Sequence, residues 1–379
     1  MRLVQNLLLA LGSLVLFFAT AEGLARLRYH PERIQYAGIF EYDPDKVFAL
    51  KRNVRGGDFV GRPVDTNALG YRDHEIPVAK PANGFRVVAV GDSVTFGHGV
   101  LGDETWPEEL QRLLAAQYPS LDVEVANTAV PGNAPFQEYV DLDRALVLEP
   151  DAVVIQFVLN DVVGPWNLFR RYGGKGIDYH GVEDVPYWDW VLSQRSASYL
   201  LMKDVVARIR FGALTADGVR ERAVRTEAEY AWQAAADDPS DPMMRRAWRE
   251  CLRWLQREVD LCKAHRIPVV LLATPADFQF QDDSRTYAQK RLTGFASRNA
   301  IAYVDLLKPM RERAIDVAEP RDVVWQRYFL DYDHLTPAGH AFVANLLVPL
   351  IAPIASARTT PTHSTHAVLG TAYNSGLAR

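Results

Sequence analysis

Cysteine is nearly absent from this sequence: there are two, Cys251 and Cys262, in 379 residues. They lie in one expected helix, on nearly the same face but about 16 Å apart by helix rise. A disulfide needs Cα atoms within roughly 7 Å, so the two cannot bridge each other. A disulfide framework is thereby excluded, no metal-site spacing occurs, and two thiols on an apolar helix face read as core residues. An excess of basic charge is missing as well. Lys and Arg total 42 against 47 Asp and Glu, a net charge of -5, which argues against a nucleic-acid partner. No internal repeat is visible. With 48% hydrophobic and 23% charged residues, the chain is neither disordered nor coiled coil, and its length suits one enlarged α/β domain or two small ones.

One greasy run stands out from this background. Leu3 to Ala21 is apolar except at Gln5, Asn6, Gly12, Ser13 and Thr20. Its heart, Leu7 to Phe18, is about 12 residues, the size of a secretory h-region and short for a span. Ala19-Thr20-Ala21 fits a small-residue cleavage site, yet Glu22 to Arg28 continues with helical character, so Leu3 to about Leu24 just suffices to cross a bilayer. Arg2 upstream and Arg26, Arg28 and Arg33 downstream leave the orientation open. A buried core helix would seldom begin at residue 3 with this density of Leu, Val and Phe. Residues 1–25 are expected to be a signal anchor or a cleaved signal peptide. The rest of the chain is then exported: anchored with an exocytoplasmic domain, or released to the periplasm or beyond.

Residues 30–84 are rich in Gly, Pro, Asn and Asp and read as an extended arm packed over a domain. The pattern then changes. Phe85 to Val90, Leu121 to Ala126, Ala152 to Val158, Ile267 to Ala273 and Ile301 to Leu306 are short apolar strands. Helices are expected between them near Glu104–Gln117, Phe136–Leu148, Pro242–His265 and Ser284–Arg298. A last helix, capped by Thr336 and Pro337, is expected to end near Ile351. Such alternation implies an α/β fold with a five-stranded parallel sheet covered on both faces. Between the third and fourth strands lies an insertion of roughly 75 residues, about 164–241, holding Trp166, Phe169, Tyr187, Trp188 and Trp190. These aromatics suit either the core of a small helical subdomain or a lid that stacks on sugars or holds an acyl chain. The Thr-, Ser- and His-rich segment 356–379 reads as a disordered tail.

Ligands of open α/β sheets bind at the carboxyl ends of the strands. The first strand ends in Gly91-Asp92-Ser93-Val94-Thr95, which presents Ser93 on a strand-to-loop turn, as a nucleophile or merely as a helix cap. Gly91-x-Ser93-x-Thr95 lacks the last glycine of the nucleophile elbow. The second strand leads to Gly132, able to let backbone approach a ligand, and the third to Asn160-Asp161. Near the C-terminus, Asp331-Tyr332-Asp333-His334 offers a histidine with a carboxylate three residues earlier. Ser93 as nucleophile, His334 as base and Asp331 as the group that orients it would follow triad logic. His98 and His340 are rival bases by residue type, better suited to packing or surface roles.

Gly91-Asp92-Ser93, Gly132, Asn160 and Asp331-x-x-His334, in this order and in these strand contexts, resemble the four blocks of the SGNH/GDSL hydrolases across about residues 85–352. The resemblance implies a flavodoxin-like three-layer α/β/α sandwich of strand order 2-1-3-4-5 and an acyl-serine esterase mechanism. It also implies an oxyanion hole built from the N–H of Ser93, the N–H of Gly132 and the side-chain amide of Asn160. Leu335-Thr336 follow His334 where many relatives carry Pro-Asn, a change in the loop outside the triad. Asn67-Ala68-Leu69-Gly70-Tyr71-Arg72 and the apolar start look like those of envelope-anchored members. The expected activity is hydrolysis of a small acyl ester on an envelope glycan, lipid or small molecule, with no metal or organic cofactor called for. O-acyl transfer to an envelope glycan by the same triad, and an inactive envelope scaffold, are the alternatives.

Overall fold

The computed structural model describes residues 2–27, 38–162, 187–211 and 242–359. In the arm, β1 (Phe40–Asp43) pairs antiparallel with β2 (Val47–Leu50), and β3 (Gly57–Phe59) with β4 (Arg62–Val64). The main sheet holds β5 (Gly84–Val90), β6 (Asp122–Asn127), β7 (Ala152–Phe157), β8 (Val269–Ala273) and β9 (Ala302–Asp305). All its pairings are parallel and its order is β6-β5-β7-β8-β9, the 2-1-3-4-5 arrangement counted within the sheet.

Period-2 alternation sends successive side chains of a strand to opposite faces. Val88 and Val90 of β5, with Val153, Ile155 and Phe157 of β7, join one core. Phe85, Val87 and Ala89, with Ala152 and Val154, join the other. The first core is closed by α4 (Pro135–Ala145), α7 (Pro242–Ala264) and α9 (Tyr287–Asn299), through residues such as Leu142, Trp248, Leu255 and Leu292. Cys251 and Cys262 are free and buried there. The second is closed by α3 (Trp106–Gln117), the short α8 (Asp277–Gln281), α10 (Leu307–Asp316), α11 (Arg321–Tyr328) and α12 (Pro337–Thr359). Helix α3 shows why: Pro107 and two glutamates occupy its first turn, and Trp106, Leu110 and Leu114 recur on one face. The result is a three-layer α/β/α sandwich.

Helix α12 runs to Thr359 rather than stopping near Ile351, despite Pro349 and Pro353 inside it. Val343, Leu347, Ile351 and Ala355 are all fully buried at four-residue spacing. That continuous apolar stripe outweighs the proline penalty of about 3 kcal/mol per site. Residues 356–359 thus belong to the helix, and 360–379 lie outside the described residues. Among the described helices two are long and apolar enough to cross a membrane. One is α12, already partly buried in the core; the other is α1 (Arg2–Arg26), whose apolar window is 0% buried. Within the insertion, α5 (Tyr187–Arg195) and α6 (Ala197–Phe211) are described. Trp166 and Phe169 lie outside the described residues.

Candidate active site

Strand β5 ends at Val90, and the chain turns at Gly91. A Cβ there would stand 2.4 Å from Thr95 Oγ1, an oxygen already committed to Gln156 Oε1. Only glycine fits that approach. Asp92 then caps the single-turn helix α2 (Ser93–Phe96) by accepting the Val94 N–H at 3.0 Å. The cap is Asp92, so the hydroxyl of Ser93 is not spent on it. Ser93 is buried in this turn, and its Oγ lies 2.9 Å from His334 Nε2.

His334 comes from the loop before α12, a tight reversal clamped by the Phe329–Leu335 bridge and by the Leu330 N–H donating to His334 O at 2.7 Å. Asp331 folds back into this loop. Its Oδ1 accepts the N–H of Asp333 at 3.1 Å and of His334 at 2.9 Å, while Oδ2 lies 2.8 Å from His334 Nδ1. Asp333 also approaches Nδ1, with Oδ1 at 3.2 Å. An Nδ1–H donated to Asp331 leaves Nε2 free to accept the Ser93 hydroxyl proton. Burial works to raise the Asp331 pKa, but hydrogen bonds from His334 and Asp333 bring it down to about 2. Burial likewise works to lower the pKa of His334. The hydrogen bond to Asp331 and the charges of Asp333, Asp331 and Asp92 outweigh it and hold His334 above its ordinary value.

The rival histidines sit elsewhere in this geometry. His340 is fully buried in α12, accepts the Trp106 N–H at Nδ1 (3.1 Å), and is pushed down to about 3 by burial and by the charges of Arg72 and His334. His98 stacks on His334, ring centres 3.9 Å apart and planes within 16°. Burial and the His334 charge push it down to about 4, so it stays neutral near pH 7.

Gly132 and Asn160 follow β6 and β7, the strands on either side of β5. Gly132 is exposed and left-handed, at φ +83°. Its loop is held by the Asn133 N–H donating to Val130 O at 3.1 Å and by Asn133 Nδ2 donating to Asp141 Oδ2 at 2.7 Å. Asn160 Nδ2 donates to Asp92 Oδ2 at 2.8 Å. An amide nitrogen carries two protons, so this bond uses one and leaves one.

Residues 89–342 match the GDSL-like lipase/acylhydrolase family. The chain belongs to that family. It is an ester-hydrolysing enzyme by that membership. No curated protein matches the chain. Among solved structures, a lipolytic protein of the G-D-S-L family from Desulfitobacterium hafniense DCB-2 is 14% identical, covering 70% of this chain and 98% of that one, at TM-score 0.36. A catalytic mutant of Axe2, an acetylxylan esterase from Geobacillus stearothermophilus, is 17% identical over 72% and 96%, at 0.39. A two-domain esterase active on acetylated mannans is 12% identical over 73% of this chain and 51% of its own length, at 0.39.

Around this GDSL-family site stand contacts that sequence reasoning did not find. Arg72, buried, donates to the carbonyls of Phe96 (2.9 Å), Gly97 (2.8 Å) and Val100 (2.8 Å), gripping the loop after Ser93 from the arm. Lys46, in the turn between β1 and β2, pairs in the interior with Asp141 of α4. Glu138, Asp161 and Glu258 are fully buried carboxyls; burial, reinforced at Glu138 and Asp161 by neighbouring carboxylates, raises all three pKa values. Among the described residues two clusters have the makings of metal ligands: His98, Asp331 and His334, and Asp73, His74 and Glu108. In the second, His74 itself supplies the cation, because hydrogen bonds to Asp73, Glu108 and Glu124 push its pKa up to about 12.

Proposed function

We propose that this GDSL-family chain is a membrane-anchored serine esterase of the cell envelope, working through an acyl-Ser93 intermediate on a small acyl ester. The observation that carries the reading is the unbroken hydrogen-bonded path Ser93 Oγ–His334 Nε2, 2.9 Å, and His334 Nδ1–Asp331 Oδ2, 2.8 Å, at the carboxyl end of the sheet. His334 Nε2 takes the hydroxyl proton as Ser93 Oγ attacks the ester carbonyl, whose π pair moves onto oxygen. Asp331 holds the tautomer and stabilises the imidazolium. The oxyanion accepts hydrogen bonds from the Ser93 and Gly132 N–H groups and from the second Asn160 N–H. Collapse expels the alcohol, which leaves with the proton from His334. Water, deprotonated by the same nitrogen, then attacks the acyl-enzyme, releases the acid and restores Ser93.

The anchor half of the reading is supported by α1. Its Leu, Val and Phe side chains from Val4 to Leu24 are exposed, whereas Ala25 in its last turn is buried and Glu22 is hydrogen-bonded into the insertion. A segment destined for removal has no need of that attachment. The test uses the full chain in detergent micelles on short-chain nitrophenyl esters, beside Ser93→Ala. The variant is expected to lose about 10⁴-fold or more in turnover, as removal of a triad nucleophile does. Equal turnover in the two proteins would remove Ser93 from the mechanism.

A further inference from the structure

Helix α1 does not simply lead into the fold; its last turn grips the insertion. Glu22 accepts hydrogen bonds from the N–H groups of Ala197 and Ser198, both at 3.0 Å, and from the hydroxyls of Ser196 (2.9 Å) and Ser198 (2.8 Å). It thus caps the free N–H groups that open α6, from a different part of the chain. Arg26 pairs with Glu22 at 2.8 Å and donates to the carbonyl of Arg195, the last residue of α5, at 2.8 Å. Helix α6 then packs against α1.

Among the described side chains, those that α5 and α6 leave uncovered are mostly apolar. On α6, Leu201 and Val205, and Met202 and Val206, form two adjacent i,i+4 pairs, hence one face. All four are exposed, Met202 and Val206 by 51% and 52%. On α5, Tyr187, Trp188 and Leu192 are exposed too. The two helices are tied through the Trp188–Tyr199 ring contact at 6.2 Å and a hydrogen bond from the Tyr199 hydroxyl to Asp189. A water-facing surface seldom carries so many large apolar groups together. Charge fits the same occupant, since the α6 sequence holds Lys203, Arg208 and Arg210 against Asp204. An apolar face with basic residues on one helix, flanked by Trp and Tyr, is the composition of an interfacial helix.

We propose that the α5–α6 face lies on the lipid surface that α1 enters, so that the enzyme is held to the bilayer by one spanning helix and one in-plane pair. This rests on the retained-anchor reading above. Continuity with α1 selects the occupant: Glu22, close to the end of the exposed apolar run of α1, caps the first turn of α6, the two helices pack together, and both carry exposed apolar side chains. The face also carries the site with it, because Tyr187 meets Tyr42 of β1 at 5.5 Å. Phe48 of β2 lies 3.8 Å from where a Cβ on Gly132 would stand.

The test is depth-dependent quenching. The full chain, carrying an environment-sensitive dye at Met202→Cys, Val206→Cys, Leu16→Cys or Ile315→Cys, is placed in phosphatidylcholine–phosphatidylglycerol vesicles doped with nitroxide-labelled lipid. The native thiols, Cys251 and Cys262, are buried, and retained ester turnover checks the fold of each variant. The proposal expects blue-shifted emission and several-fold stronger quenching at 202, 206 and 16 than at 315. Quenching at 16 with water-like behaviour at 202 and 206 overturns the proposal while sparing the anchor. Water-like behaviour at 16 as well overturns the anchor and the proposal together. A blue shift at 202 and 206 that nitroxide lipid does not quench means a protein partner, such as a second copy, and also overturns it.

Discussion

At His334 two carboxylates compete for one ring nitrogen, and geometry separates them. Asp331 Oδ2 lies 2.8 Å from Nδ1 in hydrogen-bonding geometry, whereas Asp333 Oδ1 is 3.2 Å away. In the proposed mechanism Asp331 is therefore the group that fixes the tautomer, and Asp333 adds charge. Asp331→Asn is expected to lower turnover by about 10⁴-fold, because an amide can hold the wrong tautomer. Asp333→Asn is expected to cost much less. The pH profile gives the sign. His334 must be neutral to act as base, and its pKa is raised, so the acid limb of kcat/KM lies above the ordinary histidine value near 6.5. Removing the Asp331 charge lowers the His334 pKa, so the residual activity of Asp331→Asn should rise at lower pH than in the native chain. An unmoved limb, or a larger loss in Asp333→Asn, contradicts the assignment. His98, five residues after Ser93 in sequence, gave no sign of its place on the face of His334; Phe59, which meets its edge at 5.4 Å, comes from the arm.

Elements of the arm reach the site through buried polar contacts. Lys46 joins β1–β2 to α4 at Asp141, and Asp141 in turn accepts from Asn133, the neighbour of Gly132. Breaking one side of a buried pair typically costs about 3–5 kcal/mol. Lys46→Met should therefore lower the denaturant midpoint of the catalytic domain, by the shift that a loss of this order in unfolding free energy produces. It should also reduce turnover by loosening the Gly132 loop. An unchanged midpoint would show that the cation is not needed to offset Asp141. The sheet itself was legible in the sequence, because five near-continuous apolar runs have few alternatives to buried parallel strands. The hairpins were not: β3 and β4 are three residues long each, too short for alternation to show. Helix α11 has only eight residues, so its buried face of Val324, Trp325 and Tyr328 spans a single turn among charged neighbours and is too short to stand out as a stripe. The end of α12 lies beyond what its sequence suggests, because Pro349 and Pro353 signal a stop that the buried stripe overrides.

Over the whole molecule, the family blocks could be aligned by order and spacing, since each follows a strand of one sheet and topology brings strand ends together. What the sequence could not supply is contact between segments far apart along the chain. Glu22 capping α6, Arg72 gripping the Ser93 loop and Lys46 reaching Asp141 all depend on tertiary placement, and none has a local pattern. These contacts tie α1, the arm and the insertion to one catalytic sandwich. The central claim, that Ser93 becomes acylated, is tested most directly by rapid acid quenching of the full chain in detergent micelles during turnover of nitrophenyl acetate, followed by peptide mass analysis. The account predicts one acetyl group on the peptide containing Ser93, absent from His334→Ala. Acetyl on another residue, or turnover with no acylated peptide at any time, would contradict it.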